Sequence, residues 1–287
     1  MKPRLFLCLV AAFLSCISTA VAQQSQAQSQ PLTFWYDYFI TPGKEEEFVD
    51  LVKTVGQPVR DKLMADGVVL AWGLQVSLLR VPGSATHWIW FEVADYAGVE
   101  KVDEAMRAQF AKLNEEAAKS GVIKKGQKPA LSVNARLGEV TDITKIHDYL
   151  TRDIVSGDYH IPPQGTLPYT RFNFVKVKPG KATDYRKAWE KYNKPVFDKL
   201  VADGVILGYG LAVEDIRTDG DFTHFVWFDT KDLASMDKFR AAFIADRDRR
   251  SPEEQESLTH LFANLQDLDA SRSEVGRSLI FHTPAPK

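Results

Sequence analysis

Two histidines are the first residues with chemistry to offer. His87 and His224 stand in matching surroundings, Thr-His-Trp-Ile-Trp-Phe at 86–91 and Thr-His-Phe-Val-Trp-Phe at 223–228. Imidazole changes charge near neutral pH without help from its surroundings, so each is a candidate general acid or base, and each is a candidate metal or haem ligand. The plainer alternative is a Thr-His pair that opens a strand and hydrogen-bonds locally. Asp37, between Tyr36 and Tyr38, is a third catalytic candidate, because burial among aromatic rings would raise its carboxyl towards the range of a general base. An aspartate exposed at a strand edge is the competing reading.

Large aromatics accompany them. Trp72, Trp90, Tyr209, Trp227 and Tyr36 are candidates to line an apolar ligand pocket, although residues of this kind more often fill a core. Gly73 and Gly210 sit mid-strand, where a missing side chain relieves crowding or admits a ligand close to the backbone. Arg80 and Arg217 offer a cation for an anionic group or for a surface ion pair.

Several chemistries drop out. No G-x-S-x-G, Walker or G-x-G-x-x-G pattern occurs, which weakens α/β-hydrolase and nucleotide-dependent readings. No H-x-x-x-H or H-E-x-x-H spacing occurs, so no metal site is expected; haem held by one histidine needs no such spacing and stays open. Both cysteines, Cys8 and Cys16, fall in an N-terminal segment that reads as removable, leaving no thiol or disulfide chemistry.

The elements that must position these residues come as a repeat. Pro42-Gly43-Lys44 recurs at Pro179-Gly180-Lys181, and the offset of 137 residues holds without a gap through Ala65-Asp66-Gly67-Val68 and Ala202-Asp203-Gly204-Val205 to Asp95 and Asp232. About two positions in five match over this stretch, which marks a duplication.

Each copy reads as β-α-β-β-α-β. Leu32 to Ile40 suits a strand, and Phe48, Leu51, Val52, Val55, Val59 and Leu63 mark the buried face of a helix. Pro58 and Pro195 are expected to kink or break that helix, since proline removes a donor and displaces the carbonyl four residues earlier. Asp66-Gly67 and Asp203-Gly204 read as helix exits. Two strands follow near 68–79 and 86–94, then a helix carrying Val99, Val102, Met106 and Phe110. Alternation along the third strand puts His87, Ile89, Phe91 and Val93 on one face and Trp88, Trp90 and Glu92 on the other. The fourth strand is placed near 131–142, and near 274–282 in the second copy. There an additional helix precedes it, announced by the capping-box pattern Ser251-Pro252-Glu253-Glu254.

Two tandem copies of this element order resemble the dimeric α+β barrel superfamily, ferredoxin-like folds related to antibiotic-biosynthesis monooxygenases. The resemblance covers roughly residues 32–143 and 168–283. It implies an α+β chain whose two halves pack sheet against sheet as an intrachain pseudo-dimer, with ligands between each sheet and its helices. It also implies an oxygenase working without a heavy cofactor, or a haem-handling enzyme. A non-catalytic ligand-binding or protein-interaction module is the alternative. No catalytic motif of the superfamily is matched, so the resemblance assigns no residue a role.

The rest is composition. With 45% apolar and 26% charged residues and a formal charge of −2, the chain has material for a core and lacks the basic footprint of a nucleic-acid binder. Residues 1–22 read as a signal peptide: Lys2 and Arg4, an apolar run, then Ala20-Val21-Ala22 before a cut at Gln23. Residues 23–31 form a polar tether, 32–143 the first repeat, 144–167 a surface linker and 168–287 the second repeat. The expected product is an exported, periplasmic or secreted protein with no membrane span. It would be a monomer or weak homodimer with an apolar small molecule as its partner.

Overall fold

Along β1 (Leu32–Tyr38), Leu32, Phe34, Tyr36 and Tyr38 pack towards helices while Trp35 turns the other way, and this two-residue period sets the layering of the whole structure. The computed structural model describes residues 30–120, 132–163, 165–218 and 222–283. The expected signal peptide and nearly all of the tether lie outside them.

After β1 come α1 (Glu45–Leu51), a π-helical turn (Val52–Gly56), α2 (Gln57–Ala65), β2 (Val69–Ser77), β3 (His87–Val93), α3 (Tyr96–Ser120), α4 (Val133–Val140) and β4 (His147–Ser156). The second half repeats the series as β5 (Tyr169–Val177), α5 (Ala182–Tyr192), α6 (Lys194–Ala202), β6 (Gly208–Glu214), β7 (His224–Thr230), α7 (Ala234–Asp248), α8 (Pro252–Leu265) and β8 (Gln266–His282). The strands close into an antiparallel barrel in the order β1-β3-β2-β8-β5-β7-β6-β4. Each half thus contributes four neighbouring strands, and the halves join along two seams. Gln75 of β2 faces Ser278 of β8 at one, and Asp153 of β4 faces Ala212 of β6 at the other.

Three apolar clusters follow from the alternation. One lies between the first half's strands and helices, a second is its counterpart in the second half, and a third fills the barrel lumen with Trp35, Tyr149, Phe172, Phe174 and Phe225. The break expected at the prolines is present. Pro58 lies in the first turn of α2 just after the π-helical turn, and Pro195 in the first turn of α6 just after α5 ends.

The fourth strand of the first half is not where its sequence suggested. Residues 133–140 form α4, capped by Ser132, whose side chain accepts from the Ala135 amide. The strand is β4, at 147–156, inside the stretch read as a surface linker. Its inward positions carry Tyr149, Thr151 and Asp153, so polar residues on both faces hide the alternation that marks a half-buried strand. β8 is also longer than expected, beginning at Gln266. The capped helix α8 forms as read, with both halves of its capping box made. It is not peculiar to the second half, since α4 holds the equivalent place.

Candidate functional site

Where β1 presents Phe34, Tyr36 and Tyr38 to its helices, β5 presents Arg171, Asn173 and Val175. In the first half these rings pack on one another and on α1: Phe34 lies 4.8 Å from Tyr36 and Tyr38 lies 5.0 Å from Phe48, centroid to centroid. In the second half the smaller side chains leave a cleft of about 490 Å³ between the sheet and α5, α7 and α8. Its walls are aromatic, with Tyr185 and Trp189 from α5, Phe239 and Phe243 from α7, and Phe262 from α8. Polar groups from the strands include Arg171, Arg272, and Asn173, whose Oδ1 accepts from Ser273 Oγ at 2.7 Å. Apolar walls with a few convergent polar groups are the usual make-up of a small-molecule site.

The residues singled out in the sequence lie elsewhere, divided by the barrel wall. His87 and His224 face the helices. His87 meets the Phe48 ring edge-on at 5.4 Å, and His224 meets Tyr185 at 5.5 Å. Each bonds through Nδ1 to the preceding threonine, at 3.1 Å to Thr86 and 2.9 Å to Thr223. Burial lowers both to about 4, so both are neutral at neutral pH. This is the local strand-opening arrangement, and it brings neither ring into a shared site with Asp37.

Trp72 also faces outward. It stacks on His282 at 4.8 Å and donates Nε1 to Asp61 of α2 at 2.9 Å, while its counterpart Tyr209 donates to Asp198 of α6. These pairs tie the second strand of each half to its helix. Tyr36 packs against Phe34, and burial raises its hydroxyl to about 12. Trp90 and Trp227 point into the lumen. None of these residues lines the cleft.

The lumen holds carboxylates that sequence reasoning missed as a group. Asp37 is raised to about 8, first by burial and then by Glu274, with Arg272 and a hydrogen bond from Tyr149 opposing. Glu92 is raised to about 7 by burial and by Asp153. Asp153 and Asp229 are each raised to about 6 by burial. Asp153 accepts from Trp227 Nε1, while Asp229 accepts from Thr170 at 2.5 Å and Tyr159 at 2.8 Å. The available signal was Glu92 and Asp229 themselves, one acid at the same inward position of β3 and β7 in otherwise apolar strands.

A candidate monooxygenase from Fusobacterium nucleatum subsp. nucleatum aligns over 89% of this chain and 95% of its own, at 12% identity and a TM-score of 0.56. A second candidate monooxygenase, from Lactobacillus acidophilus, covers 88% and 96% at 9% identity and a TM-score of 0.53. An anthrone oxidase-like protein covers 89% and 94% at 12% identity and a TM-score of 0.50. The likeness is one of fold, and it is the fold that the resemblance to the dimeric α+β barrel superfamily implied. No family model matches the chain, and no curated protein sequence matches it.

Within that barrel, haem does not suit the cleft. Among the described residues lining it there is no His, Cys or Met to serve as axial ligand, and burial raises the Tyr185 phenol well away from tyrosinate. No group of three His, Cys, Asp or Glu among the described residues is placed to hold a metal ion. No described helix is long and apolar enough to cross a membrane.

Proposed function

We propose that this chain is an exported small-molecule-binding protein, built as a tandem pseudo-dimer of ferredoxin-like halves, whose ligand occupies the cleft of the second half. The cleft itself carries the reading: it lies where Asn173 and Val175 of the second half stand in place of Tyr36 and Tyr38. The apolar dye N-phenyl-1-naphthylamine, fluorescent once out of water, tests it. One equivalent should bind, and the double variant Asn173→Tyr/Val175→Tyr, which restores the ring pattern of the first half, should abolish binding while the protein stays folded. Unchanged binding in that variant refutes the site. Export has its own check: protein recovered from its host should have a mass that begins at Gln23, and an intact Met1 end would sink it.

A second reading, an oxygenase needing no tightly held cofactor, is favoured by Asp37. Raised to about 8, its carboxyl can exchange a proton near neutral pH, and Arg272 acts on it while also lining the cleft. The names of the structural neighbours lean the same way. Oxygen uptake with anthrone, lost in Asp37→Asn while dye binding persists, would establish it; binding without uptake leaves the non-catalytic module.

A further inference from the structure

We infer that the cleft selects molecules carrying an oxyanion on an apolar body, such as an aryl carboxylate or sulfonate, with Arg171 as the group that receives the charge. The inference rests on the cleft being the ligand site and names the class of ligand it takes.

Arg171 is the anomalous residue of the wall. Its counterpart in the first half is Phe34, so the duplicated fold places an apolar ring at this position and the second half has a guanidinium there. Arg171 Nε is shielded from solvent and has no hydrogen-bond partner. No carboxylate among the described residues pairs with it; burial is the one influence acting on its charge, and it acts against it. Leaving a cation half-desolvated and unpaired is unfavourable, and the cost is recovered when an anion arrives.

The surroundings agree on sign. Among the described residues the lining contains two arginines and no Asp, Glu or Lys. Arg272 already bonds Glu274 at 3.2 Å and lies 4.3 Å over the Phe174 ring, so part of its donor capacity is committed. Arg171 has its whole planar fork to offer, and that fork matches the paired oxygens of a carboxylate or sulfonate. The facing aromatic rings supply the complementary surface for an apolar body. A neutral apolar ligand would leave the guanidinium unpaired, and a cation would be repelled by two arginines. An anionic amphiphile satisfies both halves of the wall.

A matched dye pair tests this. The anion 8-anilino-1-naphthalenesulfonate and the neutral N-phenyl-1-naphthylamine share a ring skeleton and differ by the sulfonate. The full chain should bind the anion about tenfold or more tightly than the neutral dye at low ionic strength, with the gap narrowing as salt is added. Arg171→Leu should erase that preference while keeping the neutral dye bound, which also shows that the variant is folded. Arg171→Lys should keep part of it. Equal affinities in the unmodified protein, or a preference unchanged in Arg171→Leu, overturn the proposal and leave the cleft reading intact. If neither dye binds, the cleft reading fails and this proposal with it.

Discussion

Trp227 donates its indole Nε1 to Asp153 at 3.0 Å across one seam of the barrel, whereas its counterpart Trp90 has no partner across the other. The place of Asp153 is taken there by Ser278, whose hydroxyl is also unpartnered. The lumen of a duplicated barrel is therefore chemically one-sided.

Removing Asp153 should expose that difference. Asp153→Ala orphans a buried indole donor and should cost about 1–3 kcal/mol in urea unfolding at pH 7. Asp153→Asn keeps an acceptor and should cost less. If the alanine variant is as stable as the parent, the seam hydrogen bond contributes nothing.

Stability should fall between pH 6.5 and 8. A carboxyl raised in the folded state binds its proton more tightly there than in the unfolded chain, so stability is lost as pH climbs through the folded value. Below pH 6.5 the two buried histidines act in the opposite sense, because the unfolded chain protonates them more readily. Above it, Glu92 (about 7) and Asp37 (about 8) act alone and should cost of order 2 kcal/mol by pH 8. Glu92→Gln with Asp37→Asn should flatten a plot of melting temperature against pH. A melting temperature that rises over this interval contradicts the assignment.

Neither His87 nor His224 should titrate above pH 5. Of six histidine signals followed by proton NMR, two should hold the shift of neutral imidazole from pH 8 to 5. His87→Gln should lower stability and leave dye binding in the cleft unchanged. Loss of binding with stability intact would return His87 to the site.

Gly210→Ala should destabilise by about 1–3 kcal/mol, because a Cβ there overlaps both Trp227 Nε1 and Asp153 Oδ2. Gly73→Ala meets Trp90 Nε1 at 2.8 Å and the Ile280 carbonyl at 2.9 Å and should behave alike. The mid-strand glycines are thus explained by crowding from the lumen tryptophans. A neutral melting temperature for either variant would show that the indoles move aside.

The repeat, the β-α-β-β-α-β order and the helix breaks at Pro58 and Pro195 were legible in the chain alone, because periodicity and proline geometry act over a few residues. The inward and outward faces of β3 were legible for the same reason. β4 was not, since its lumen face carries Thr151 and Asp153 and so loses the alternation that betrays a strand. The contrast of Tyr36 and Tyr38 with Asn173 and Val175 is visible in the sequence, but its meaning is not. Only packing against α5, α7 and α8 turns smaller side chains into a cleft and leaves Arg171 without a partner. The lumen acids likewise needed the closed barrel. Glu92 and Asp153 are 61 residues apart in the chain, and their mutual repulsion exists only once β3 and β4 flank β1 in the folded sheet.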